Sequence, residues 1–208
     1  MQNIAIIDRY VWAKYTFFRW RCSLALTKKL GLAFTMALLT GLMAQVKIFL
    51  PFSPVPITGQ VFAVLMSGVI CGGVFGSLSQ VIYITLGIIG IPWFACSSQS
   101  SYLLTSPTAG YLIGFIVAPM LIGRYTDNYI GARKFLPQLK LMILGVGVIY
   151  IFGAINLALV MKFGLWETLA KGVVPFVIID LIKAILAASA SWAMLPQSSY
   201  NAETDREK

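Results

Sequence analysis

Six apolar stretches, at approximately 30–50, 57–71, 73–90, 107–124, 139–161 and 173–195, take up most of this 208-residue chain. A helix needs about 20 apolar residues to cross a hydrocarbon core. Backbone N–H and C=O groups in lipid must be satisfied internally, which leaves helices or closed barrels. Six spans with their loops nearly exhaust the length, so no soluble domain of any size fits beside them. The chain is 59% hydrophobic and 11% charged, with a mean hydropathy of +0.84, whereas an ordinary soluble domain carries about 25% charged residues. The expected fold is all-α: a polytopic membrane protein built as a six-helix transmembrane bundle.

Loop charge sets the orientation, since cytoplasmic connections collect Lys and Arg. Residues 1–29 hold Arg9, Lys14, Arg19, Arg21, Lys28 and Lys29 against Asp8, and the fourth connection holds Arg124, Arg133, Lys134 and Lys140 against Asp127. The first and third connections carry no charge between Phe49 and Ile57 or between Ile91 and Pro107. Both termini are therefore expected inside (N-in, C-in), in a bacterial inner or plasma membrane. Three units follow: a basic aromatic leader (1–29), a membrane domain (30–195) and a polar cytoplasmic tail (196–208). The leader interleaves its cations with Tyr10, Trp12, Tyr15, Phe17, Phe18 and Trp20, which fits an interfacial helix on an anionic leaflet rather than a cleaved signal. The net charge of +9 is thus explained by the lipid bilayer, and nucleic acid is not expected as a partner.

Charge inside the last apolar stretch is the main functional clue. Asp180 and Lys183 lie three residues apart, on one helix face and within pairing reach. With entry near Val174, Asp180 is roughly 9 Å deep, where an isolated charge costs about 2.5–3.5 kcal/mol on insertion scales. The same outer side collects the Pro51–Gln60 segment, whose prolines stiffen it while Thr58 and Gln60 face inward. It also collects a run of small hydrogen-bonding groups, Ser97, Ser98, Gln99, Ser100 and Ser101, flanked by Trp93, Phe94 and Tyr102. Apolar walls with a few placed polar groups make a small-molecule pocket. Small residues recur at four-residue spacing in Ala33–Ala37–Gly41, Gly68–Gly72–Gly76 and Gly110–Gly114, the pattern by which membrane helices bring backbones together. Internal packing explains all three, and the first can instead receive a partner subunit.

Several chemistries are excluded. There is no His, so no Ser/His or Cys/His couple exists. Cys22, Cys71 and Cys96 have no CxxC spacing, and no metal or cofactor is expected. No GxxxxGK[ST] loop occurs, so the chain cannot hydrolyse ATP itself.

Four stretches carry a family resemblance: Ser53–Gln60 (SPVPITGQ), Leu86–Phe94 (LGIIGIPWF), Pro107–Phe115 (PTAGYLIGF) and Pro175–Ala184 (PFVIIDLIKA). In this order the chain resembles the BioY family, the biotin-specific substrate-capturing (S) components of energy-coupling-factor (ECF) transporters. It departs at Cys96–Ser101, where members are often Gly-rich, and before Asp180, which lacks the usual Pro-Gly. The resemblance implies a six-helix bundle that binds biotin from outside, without enzymatic activity. It implies partners too: a transmembrane coupling protein and two ATPase subunits, the first helix docking the coupling protein through an AxxxA motif matched by Ala33 and Ala37. Asp180 and Lys183 match the family's ligand-binding pair and are expected to hold the ureido ring of biotin. Gln60, Ser97 and Gln99 are further polar candidates, with Ser97–Ser101 assigned to the carboxylate. Trp93, Tyr111 and Tyr150 are candidate walls, and Asn156 is expected to bond between helices. The competing functions are an S component for thiamine or riboflavin, an intramembrane enzyme, and a structural or channel subunit.

Overall fold

A computed structural model describes residues 2–95 and 106–197, with side chains from residue 9 onward. Eight α-helices follow in order: α1 (Gln2–Ser23), α2 (Leu26–Gln45), α3 (Gln60–Cys71), α4 (Gly73–Ile89), α5 (Ala109–Asn128), α6 (Phe135–Met161), α7 (Leu165–Gly172) and α8 (Val174–Met194). A two-residue antiparallel ribbon, β1 (Lys47–Ile48) with β2 (Ile57–Thr58), pairs Lys47 with Thr58 and Ile48 with Ile57 and closes the proline-rich loop at its base. Four helices, α2, α5, α6 and α8, are long and apolar enough to cross a membrane. Helices α3 and α4 are apolar but shorter, at 12 and 17 residues.

Helix α3, only about 18 Å long at 1.5 Å per residue, is too short for a 30 Å hydrocarbon core. Its surroundings resolve the difficulty, because nine of its residues, among them Gln60 and Ala63–Val69, are buried. It packs against α2, α4, α5 and α8 and so meets protein instead of lipid. Its turn into α4 is a single residue, Gly72, at φ +80, where a Cβ would stand 2.7 Å from Asp127 Oδ2. The tight hairpin expected from Cys71-Gly72-Gly73 is present, and only glycine fits it.

Successive apolar helices alternate in direction, which gives the bundle two chemically different ends. One end gathers the start of α2, the α3–α4 turn, the α5–α6 connection and the end of α8. Here the leader does more than lie on a surface. Helix α1 docks: buried Arg21 is ion-paired with Asp127 and donates to the Val69 carbonyl. The Phe18 ring lies 4.7 Å from the Arg21 guanidinium and 3.9 Å from that of Arg133. Arg133 donates to the carbonyls of Thr126 (2.9 Å) and Asp127 (3.2 Å). Further along, Tyr10 and Lys14 each donate at 2.8 Å to the Ala193 and Trp192 carbonyls of α8. Trp12 and Trp20 remain exposed, at 60% and 49%. The helical break falls at residues 24–25, so Thr27–Lys29 belong to α2.

Ala33 and Ala37, the residues expected to dock a partner, lie inside the bundle of this chain. Both are 0% exposed, on the α2 face (Met36, Thr40, Gly41, Ala44) that packs inside the bundle, chiefly against α4. The outward face of α2 is Leu30, Phe34, Leu38 and Leu42. The small-residue stripe serves internal close approach.

Candidate ligand-binding site

The opposite end of the bundle is built from the ribbon, residues 91–95, the start of α5, α7 and the start of α8. Side chains and backbone tie these pieces together. Gln45 Nε2 donates to the Trp93 carbonyl at 3.0 Å, and Lys47 Nζ to the Ala95 carbonyl at 2.7 Å. Ser53 Oγ donates to the Lys171 carbonyl at 2.6 Å, fastening the first loop to α7. Asn156 Nδ2 donates to the Ser106 and Pro107 carbonyls at 2.9 and 3.3 Å, so it ties α6 to the segment before α5 where the sequence predicts a bond to another helix.

Beneath this cover lies a cavity with an empty volume of about 620 Å³, part of it open to solvent. Val55, Val61, Phe94, Leu112, Phe115, Ile149 and Phe176 give it apolar walls. The polar groups are few: Thr58, Gln60, Tyr83, Thr108, Tyr111, Tyr150, Asp180 and Lys183.

Asp180, in the second turn of α8, is the centre of this polar set. Its Oδ1 accepts from Lys183 Nζ at 2.6 Å, and its Oδ2 accepts from the Tyr150 hydroxyl of α6 at 2.7 Å. The Asp180 and Lys183 side chains are 6% and 13% exposed. A carboxylate offers about four lone-pair positions and an ammonium three protons. Two acceptor positions on Asp180 and two protons on Lys183 therefore stay available to a ligand. An acceptor and a donor side by side against apolar walls suit a neutral ring that carries both N–H and C=O.

The other expected residues fall into three groups. Tyr111 lines the cavity, its hydroxyl donating to the Gly172 carbonyl at 2.7 Å. Its ring fits a notch at Gly153, where a Cβ would stand 2.3 Å from Tyr111 Cε1. Gln60 also lines the cavity but is already engaged, donating to the Tyr83 hydroxyl at 2.7 Å and accepting from Thr58 at 3.0 Å. Trp93 stands behind the wall instead of in it. Its indole N–H donates to the Tyr83 carbonyl at 3.1 Å and its ring packs 5.3 Å from that of Tyr83, so Tyr83 faces the cavity in its place. Ser97 and Gln99 lie outside the described residues. Sequence reasoning missed Tyr83, Thr108, Phe115 and Phe176. Phe176 and Phe115 had a usable signal, since each stands four residues from an expected site residue, Asp180 and Tyr111, and so shares its helix face.

Residues 14–199 match the BioY family. A probable biotin transporter BioY of Methanothermobacter thermautotrophicus is 44% identical over 150 residues, 69% of this chain and 96% of that protein. The biotin transporter BioY of Thermotoga maritima is 36% identical over 141 residues, 68% of this chain and 81% of that protein. Among solved structures, the S-component for biotin from an ECF-type ABC transporter superposes with a TM-score of 0.73 at 25% identity, over 82% of this chain and 93% of that one. With a family match over most of its length and an S-component fold around the cavity, this membrane protein belongs to the BioY family.

Proposed function

We infer that this chain captures biotin in the cavity at Asp180 and Lys183, as the substrate-specific component of an ECF-type ABC importer. The observation that carries the assignment is the Lys183–Asp180–Tyr150 constellation at the head of an apolar cavity, in a chain of the BioY family. The ureido ring has two N–H donors and one carbonyl acceptor. Asp180 accepts from the N–H groups and Lys183 donates to the carbonyl, both as charge-assisted bonds. Phe94, Phe115, Tyr111 and Phe176 enclose the thiophene ring and valeryl chain, and the run Ser97–Ser101, with Gln99, holds the carboxylate. Gln60 orients Tyr83 and reaches the ligand through it.

The chain binds and does not catalyse. A transmembrane coupling protein and two ATPase subunits supply the energy for release into the cell. The apolar helices α2, α3, α4, α5, α6 and α8 form six membrane crossings in the cell membrane. Both termini are inside, residues 1–29 lie at the inner face and 196–208 form a cytosolic tail. The cation-rich end with Arg124, Arg133, Lys134 and Lys140 then faces the cytosol and the cavity opens outward.

Native mass spectrometry of the purified chain, followed by calorimetry with biotin, thiamine and riboflavin, tests the assignment. Biotin is expected to co-purify intact and to bind tightest. Tighter binding of another vitamin would overturn the ligand assignment. Orientation is read from an impermeant maleimide on whole cells, with the three native cysteines replaced by alanine. Cysteine at exposed Phe52 should label from outside and cysteine at exposed Lys134 only after lysis; the reverse pattern removes the outward cavity.

A further inference from the structure

We propose that the groove between the end of α5 and the start of α6 is a binding site for an anionic phospholipid. The groove is lined by Tyr125 and Tyr129 on one side and by Lys134, Lys140, Leu141 and Leu144 on the other. Tyr125, Tyr129 and Leu144 are 48%, 43% and 51% exposed, and both lysines are exposed. None of the ion pairs among the described residues involves Lys134 or Lys140. The nearby acid, Asp127, is held by Arg21 instead.

The polarity of the groove matches a lipid lying along it. Lys134 immediately precedes α6, and Leu144 is about 6 Å further along the helix axis than Lys140. Lys134 thus sits at the end of the bundle, at headgroup level, with Lys140 about 9 Å further in on a side chain long enough to reach back toward it. Tyr125, Leu141 and Leu144 sit deeper, where an acyl chain runs. The two tyrosine rings stack, with centroids 5.7 Å apart and planes 30° apart, on the α5 side of the groove. Lysines at helix ends near a membrane surface attract anionic headgroups, and basic pockets between helices select them. A soluble phosphate would satisfy the lysines but leave the apolar half of the groove empty. The phosphate oxygens accept from Lys134 and Lys140, and the acyl chain covers Leu141 and Leu144.

The test is native mass spectrometry of the full chain from nanodiscs containing equal amounts of phosphatidylglycerol and phosphatidylcholine. The parent chain should retain phosphatidylglycerol preferentially, and the K134Q/K140Q variant should lose roughly thirty-fold in that preference. Biotin affinity, read at the far end of the bundle, should not change and serves as the control for folding. Equal retention of the two lipids by the parent would overturn the proposal. So would an undiminished preference in the variant, displacement of the lipid by an equal concentration of glycerol 3-phosphate, or a dimer that occupies the groove and is lost with the lysines.

Discussion

Removing the Asp180 carboxylate separates its ion pair with Lys183 from its proposed contact with the ureido ring. In Asp180→Ala the ligand loses the acceptor for its two ureido N–H groups. Hydrogen bonds to charged groups contribute about 1.5–3 kcal/mol each. Two of them amount to about 3–6 kcal/mol, or two to four orders of magnitude in Kd. The same change strands Lys183, whose side chain is 13% exposed, and frees the Tyr150 hydroxyl. Breaking a buried ion pair from one side costs about 3–5 kcal/mol, and the residual exposure of Lys183 puts this case near the lower figure. At about 2–4 °C per kcal/mol for a chain of this size, Tm should fall by about 6–12 °C.

The double variant Asp180→Ala/Lys183→Met then discriminates. With no unpaired charge left, most of the lost Tm should return, because replacing both members of a buried pair by apolar groups is often neutral. Biotin affinity should not return, since donor and acceptor are both gone. A thermal-shift assay in detergent measures the first quantity and calorimetry the second. Near-normal biotin affinity in either variant would refute recognition of the ring by this pair. An unchanged Tm in the single variant would refute the claim that the pair is desolvated.

Three further outcomes follow from the geometry. Tyr150→Phe removes the 2.7 Å bond that orients Asp180, and calorimetry should show biotin binding weakened about ten-fold with little change in Tm. Ala37→Leu forces a larger side chain into a fully buried position of α2; overpacking costs about 1–3 kcal/mol, so Tm of the isolated chain should drop by about 2–12 °C, with no partner needed to see the effect. Arg21→Met breaks the bonds from α1 to Asp127 and Val69, and Tm should fall while biotin affinity, measured at the other end, stays within two-fold of the parent.

What the sequence revealed is what lies close in sequence. The order of the apolar helices, the one-residue turn at Gly72 and the Asp180–Lys183 pair are all set within a few residues by helix geometry. The failures are non-local. Nothing in the run around Tyr83 shows that it, and not Trp93, faces the cavity, because that depends on how residues 91–95 fold back over α4. Ala33 and Ala37 announce a close helix approach without naming the neighbour, which is α4 of the same chain. Arg21 reads as one more cation on an interfacial helix until Asp127, 106 residues away, is seen to hold it.

The same distinction explains how the site is assembled. A lone Asp or Lys within α8 would oppose entry into lipid by a few kcal/mol. Placed one turn apart, the two neutralise each other within a single helix, before any other helix has packed. Selectivity is added afterwards by groups from elsewhere: Tyr150 from α6 fixes one carboxylate oxygen, and Tyr83, Phe115 and Phe176 shape the walls. The pair keeps no net charge, so it favours a neutral ring bearing both donors and acceptor over an ion, which would leave one member of the pair uncompensated. Under the proposed function a cyclic urea satisfies both members together, and the local device that lets α8 enter the membrane is also the one that meets the ligand.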